Sequence, residues 1–134
     1  MNQKIYDELD RLVDVAIKKN EVPIAALIVK EGKIIAKAYN KVNKSNNILD
    51  HAEIICIRKA SKKLHNWRLN DCELYVTLEP CDMCREVIKK SRVGKVYYLL
   101  SQNEHETEKI PECVKLDDDI NIQNKLVEFF KQKR

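Results

Sequence analysis

The stretch Thr77-Leu78-Glu79-Pro80-Cys81-Asp82-Met83-Cys84, taken with Asp50-His51-Ala52-Glu53 upstream, constrains this chain more than any other feature in it. One histidine and two cysteines are three good zinc ligands, and Glu53 stands close behind the histidine. A structural zinc site fills all four tetrahedral positions with protein, whereas a catalytic site keeps one for water. Three strong ligands beside a carboxylate therefore point to an open site.

The pattern around these residues is that of alternating helices and strands. From Gln3 to Lys19, apolar residues fall at Ile5, Leu9, Leu12, Val13, Ala16 and Ile17, the stripe of an amphipathic helix, which Asn20 and Pro23 end. Ile24 to Val29 runs apolar without a break, as a strand covered on both faces would. Glu31-Gly32 is a tight turn into a second strand, Lys33 to Tyr39, and the polar stretch Asn40 to Asn47 reads as a loop. Asp50 is a plausible N-cap for a helix running to about Lys63. His65 to Asp71 is a loop, Glu73 to Leu78 a third strand, and Asp82 to Lys90 a short helix starting between the two cysteines. Lys95 to Leu100 is a fourth strand and Glu112 to Leu116 a short fifth one. Ile120 to Lys131 closes the chain as a helix with Ile122, Leu126, Phe129 and Phe130 inward, while Ser101 to Pro111 shows no period that assigns it. The expected fold is α/β, a three-layer α/β/α sandwich with a mixed five-stranded sheet.

With 134 residues the chain reads as a single domain, 1–134, large enough to bury about 68% of its unfolded surface. No apolar run approaches the roughly 20 residues that span a bilayer, and Met1-Asn2-Gln3-Lys4 lacks the apolar segment of a signal peptide. A cytoplasmic location is expected, and the five cysteines are then thiols or ligands. The net charge of +4, from 25 basic and 21 acidic residues, permits contact with nucleic acid without demanding it. Lys18-Lys19, Lys62-Lys63, Lys89-Lys90 and the Lys131-Gln132-Lys133-Arg134 tail are most simply solvated faces.

Each site residue has a plainer reading. Glu53 falls where a capping box begun by Asp50 would place a glutamate. A CxxC alone also occurs as a redox pair, although the preceding proline and the distant HxE fit that poorly. In a closed structural site the fourth ligand would have to be Cys56, Cys72, Cys113, His65 or His105. Cys56 points to another helix face than His51, Cys72 and Cys113 read as ordinary buried thiols, and His65 and His105 lie in polar loops. What favours the open site is the combination: both motifs follow strands and open helices, and helix N-termini favour thiolates. Zinc lowers the pKa of its bound water to about 7, and Glu53 is placed to move that proton to a ring nitrogen and then to a departing amine. A peptidase would need HExxH, which is absent.

On these motifs the chain resembles the bacterial tRNA-specific adenosine deaminases of the cytidine-deaminase-like superfamily, whose signature is H-x-E followed by P-C-x-x-C. The resemblance runs from about Ile5 to Arg134 and includes Glu21-Val22-Pro23-Ile24, Asn40, His51-Ala52-Glu53-Ile54, Trp67-Arg68-Leu69, Leu74 to Cys84, Ser91-Arg92-Val93-Gly94 and Phe129-Phe130. It implies one zinc per chain on His51, Cys81 and Cys84, with Glu53 as the catalytic proton shuttle. It further implies that Asn40 bonds the purine, Ile24 packs on the base and the Ala52 backbone orients the reacting group, with Pro80 and Phe130 also on the substrate side. The partners it implies are the tRNA anticodon loop, where the wobble adenosine becomes inosine, and a second copy of the chain in a homodimer. One region departs from the pattern: Leu100 to Lys109 lacks glycine and carries Glu104, Glu106 and Glu108, which repel phosphates. Two alternatives therefore stand beside the first: deamination of a free base or nucleoside (guanine, cytosine or a modified purine), and a zinc-stabilised binding module without turnover.

Overall fold

In the computed structural model of this chain, which describes residues 2–102 and 112–132, the continuous apolar run is β1 (Ala25–Lys30), a strand buried on both faces. Its neighbours are β2 (Lys33–Tyr39) on one side and β3 (Cys72–Leu78) on the other, both antiparallel to it. Beyond β3 come β4 (Lys95–Leu100) and β5 (Glu112–Lys115), each parallel to its neighbour. The sheet order is β2-β1-β3-β4-β5, so four strands run one way and β1 alone opposes them. The mixed five-stranded sheet expected from the sequence is what forms.

Alternation along β1 assigns the helical layers. Ala25, Leu27 and Val29 face a cluster built from Ile5, Leu9, Leu12 and Val13 of α1 (Gln3–Lys18) and Ile122 of α5 (Ile122–Gln132). Ala26 and Ile28 face the other way, onto Ile55, Cys56 and Ala60 of α3 (Ala52–Leu64) and Ile88 of α4 (Asp82–Lys90). Side chains of successive strand residues point to opposite faces, so one fully apolar strand serves both cores. The result is the three-layer α/β/α sandwich.

Three expectations need correction. The polar stretch after β2 is not all loop, because α2 (Val42–Ser45) forms inside it. A single turn with no acidic residue of its own is held by side chains from elsewhere. Asn40 Oδ1 accepts the Val42 N–H at 3.0 Å, and the buried Glu21 carboxylate accepts those of Asn43 and Lys44 at 3.0 and 2.8 Å. Secondly, Asp50 does not cap α3; His51 occupies the N-cap, and Asp50 instead pairs with Arg58 at 2.8 Å. Thirdly, Phe130 does not face inward. It is 52% exposed, packed edge-on against the buried Phe129.

Because α2 relies on a carboxylate twenty-odd residues upstream, its stability is testable at that residue. Glu21→Ala leaves two backbone donors without their charged acceptor and should lower unfolding stability by about 2–4 kcal/mol, read from urea denaturation; a change below half a kcal/mol would contradict the capping role.

Candidate active site

Strand direction decides where the chemistry-bearing residues meet. The register pairs Ala25 with Tyr39, Ala26 with Val76, and Leu78 with Leu100, so the ends of β2, β3 and β4 lie along one sheet edge with the start of β1. Both motifs leave the sheet at that edge. His51 becomes the N-cap of α3 and Cys81 the N-cap of α4. Neither uses its side chain to cap its helix, which leaves the imidazole and the thiol available to each other.

His51 Nδ1 lies 3.4 Å from Cys84 Sγ and 3.7 Å from Cys81 Sγ, and all three donor atoms fall within 4.8 Å of one another. Tetrahedral zinc, with Zn–S about 2.3 Å and Zn–N about 2.0–2.1 Å, separates such atoms by roughly 3.6 Å. The donor set therefore fits zinc in both identity and spacing. Among the described residues no fourth His, Cys, Asp or Glu joins the group. Cys56 is turned toward the sheet, its Sγ donating to the Ala26 carbonyl at 3.6 Å, and Cys72 is buried at the far end of β3. Cys113 is half-buried on β5, His65 is exposed at the C-cap of α3, and His105 lies outside the described residues.

The thiols carry the electrostatics of a site made for a cation. Cys81 is pulled down to about 5, first by the hydrogen bond from Cys84, against the opposing effect of burial, with the Cys84 and Met83 N–H groups and His51 adding to it. Cys84 is pushed far up by giving that hydrogen bond and by burial. His51, Cys81 and Cys84 would hold a divalent ion with both sulfurs as thiolates, since thiolates and not thiols are the ligands.

Glu53 is buried, 4% exposed, in the first turn of α3. Burial pushes its carboxyl up to about 7, partly opposed by its own backbone N–H, His51 and the Cys84 thiol. Two residues beyond the N-cap, it stands too early for a capping box, and no side-chain cap bond is made. The capping alternative is thereby set aside. A carboxyl that gains and loses a proton near neutrality, against the three metal donors, is the makings of a general acid and base.

The structure also locates the remaining candidates. Ile24 and Asn40 are joined by the Asn40 N–H to the Ile24 carbonyl at 3.0 Å, and Ile24 packs at the margin of the cluster that includes Cys81 and Cys84. Ala52 is buried as the first residue of α3, and Pro80 is buried immediately before Cys81. Phe130 is not brought to this edge by burial; it lies exposed on α5, in the opposite helical layer. Sequence reasoning assigned no role to Glu21 or Arg85. The first acts across a long separation, and the second reaches back over the Cys81 turn to Glu79 and Pro80, a spacing that helical periodicity does not flag.

Comparison with known proteins agrees with this geometry. A family model described as the cytidine and deoxycytidylate deaminase zinc-binding region matches residues 1–100. A tRNA-specific adenosine deaminase of Aquifex aeolicus is 46% identical over 90 residues, which are 67% of this chain and 60% of that protein. This chain spans less than two thirds of the length of the curated relatives it matches. A structure from work on A-to-I editing by tRNA:A34 deaminases superposes with a TM-score of 0.80 at 27% identity, covering 96% of this chain and 99% of that one. A guanine deaminase of Bacillus subtilis superposes with a TM-score of 0.67 at 39% identity, over 75% of this chain and 66% of that one. Metal analysis of purified protein should find one zinc per chain, lost in Cys84→Ser and retained in Cys56→Ala; equal zinc in both variants would disprove the ligand set. With the family model covering both motifs, the chain belongs to the zinc-binding cytidine and deoxycytidylate deaminase family.

Proposed function

We propose that this chain is a zinc-dependent hydrolase that converts adenosine to inosine at the wobble position of a tRNA anticodon. The observation that carries the reading is the buried Glu53 carboxyl against an imidazole and two thiols that leave one ligand position for water. Curated relatives named as tRNA-specific adenosine deaminases, at 42–47% identity, and a chloroplastic tRNA(adenine(34)) deaminase, at 51%, support the choice of substrate.

His51, Cys81 and Cys84 would hold the zinc, which when bound supplies a water acidified to a pKa of about 7. Glu53 accepts a proton from water and gives it to the purine N1, which makes the adjacent C6 electrophilic. The hydroxide left behind adds to C6, and Glu53 takes the proton of the new hydroxyl group and passes it to the exocyclic nitrogen, whose bond to C6 then breaks. Water has then been added and ammonia released, so the exocyclic amine becomes a carbonyl. Burial serves this twice, by placing the carboxyl near neutrality and by keeping bulk water from competing for its proton.

Asn40 suits the binding of a purine for a local reason. Its Oδ1 is committed to the Val42 N–H, which fixes the amide orientation and leaves the NH2 group to donate to a ring acceptor. Ile24, bonded to the Asn40 backbone, supplies the apolar surface on which a base would lie. The Ala52 backbone and Pro80 line the same edge. The chain is read as one cytoplasmic domain that pairs with a second copy, and no helix of the described residues is long and apolar enough to cross a membrane.

A second reading keeps the reaction and changes the substrate to a free base or nucleoside. The acidic residues Glu104, Glu106 and Glu108 after β4 favour it, since they repel phosphates, as does the 39% identity to a guanine deaminase.

Zinc-loaded protein should form inosine in an anticodon stem-loop carrying adenosine at the wobble position. Ammonia released from guanine or cytidine, with no inosine across several RNAs, would select the second reading. Glu53→Gln should keep its zinc and lose at least about a hundredfold in turnover; a variant that loses metal and activity together would show a structural role instead.

A further inference from the structure

Arg85, the residue after the second thiol, reaches back over the start of its own helix. Its Nε donates to the Pro80 carbonyl at 3.0 Å, and a terminal guanidinium nitrogen lies 2.6 Å from Glu79 Oε2. The other Glu79 oxygen accepts the Gln102 N–H at 3.1 Å, and the Glu79 N–H donates to the Leu100 carbonyl at 2.8 Å. The two side chains are only 13% and 15% exposed. One guanidinium thus joins the two residues before Cys81 to the point where the chain leaves β4.

The Cys81 turn needs such a hold. An N-cap residue ordinarily fixes its turn by accepting a helix N–H with its side chain. The Cys81 sulfur feels the Met83 and Cys84 N–H groups but is shared with the ligand cluster and makes no regular cap bond. The Cys81 carbonyl accepts the Arg85 N–H at 2.9 Å, and the Arg85 side chain adds its bonds to Pro80 and Glu79 from the same residue. A planar fork with several donors can bond the Pro80 carbonyl and the Glu79 carboxylate together, which a lysine cannot.

We propose that Arg85 is a positioning residue which, through the Pro80 carbonyl and Glu79, locks the Cys81–Cys84 turn in its ligating shape and sets how long the site retains zinc. The proposal rests on the zinc centre described above. The other ligand turn provides an internal control. Arg58 pairs with Asp50 beside His51, but it is 62% exposed and contacts no carbonyl of the ligand turn in the bonds observed. Exposed pairs of that kind contribute little.

Zinc-loaded protein is challenged with excess chelator while zinc release is followed, and the cobalt-substituted protein is examined by absorption. Arg85→Ala should release zinc about tenfold faster, the lower end of what partners supporting metal ligands are worth, and shift the cobalt bands. Arg85→Lys should fall between Arg85→Ala and the unaltered protein, and Arg58→Ala should release zinc as the unaltered protein does. A wild-type release rate and cobalt spectrum in Arg85→Ala would overturn the proposal. So would equal acceleration in Arg58→Ala. If Arg85→Ala does not fold, Arg85→Lys decides: a wild-type rate there shows that the fork is not needed. Failure of the zinc centre itself would look different, since the unaltered protein would then take up no zinc.

Discussion

Three electron-rich donors held within 4.8 Å of one another are an unstable grouping unless something positive joins them, and most of the local structure exists to hold them there. The hydrogen bond between the sulfurs pulls the Cys81 thiol down to about 5 and drives that of Cys84 up. The backbone contributes two helix N-termini, whose partial positive charge offsets the anionic sulfurs. It contributes them at one sheet edge because β2, β3 and β4 run in the same direction. Reversing either crossover would put a ligand at the opposite edge. The α/β arrangement is thus a condition for the metal site rather than a container for it.

Glu53 shows what the arrangement has to tolerate. A carboxyl with 4% exposure loses most of its hydration, and burial is what raises it to about 7. The first turn of α3 lessens that penalty, since an acid near a helix N-terminus is favoured. A cation on the adjacent donors would lower the carboxyl again, as bound metal ions reverse local charge balance. Stability alone would favour an apolar side chain at this position, and a carboxyl here is what the proposed proton transfer requires.

How much of this was legible follows from the range over which each signal acts. The strands and long helices were readable because their cause is periodic: the unbroken apolar run of β1 implied burial on both faces, and the α1 stripe implied one. The metal donors were readable from spacing because both motifs sit on short, rigid strand-to-helix turns. The helix α2 was not, since its first N–H groups are satisfied by Glu21 and Asn40 from outside it, and its own residues are typical of a loop. Sequence places the α3 cap one residue early, since aspartate caps helices far more often than histidine; in the fold His51 takes that position and Asp50 pairs with Arg58. On α5 the buried residues Ile122 and Phe129, with half-buried Leu126 between them, define a narrow stripe, and Phe130 lies just past its edge.

Substrate choice is settled elsewhere than the chemistry. The same fold superposes on a protein from tRNA editing work and on a guanine deaminase, at TM-scores of 0.80 and 0.67, so the sandwich by itself does not select between an RNA and a free base. Deamination asks only for an amino group on a ring, an acidified water and a carboxyl to carry protons, and these lie on rigid strand-to-helix turns. Discrimination needs contacts with what flanks the ring, and those come from connecting segments, which vary freely because no core packing depends on them. Asn40 stands at the junction. Its amide oxygen accepts the Val42 N–H at the start of α2 and its NH2 group is left to donate, so the residue proposed to read a base also helps to fix the turn beside it.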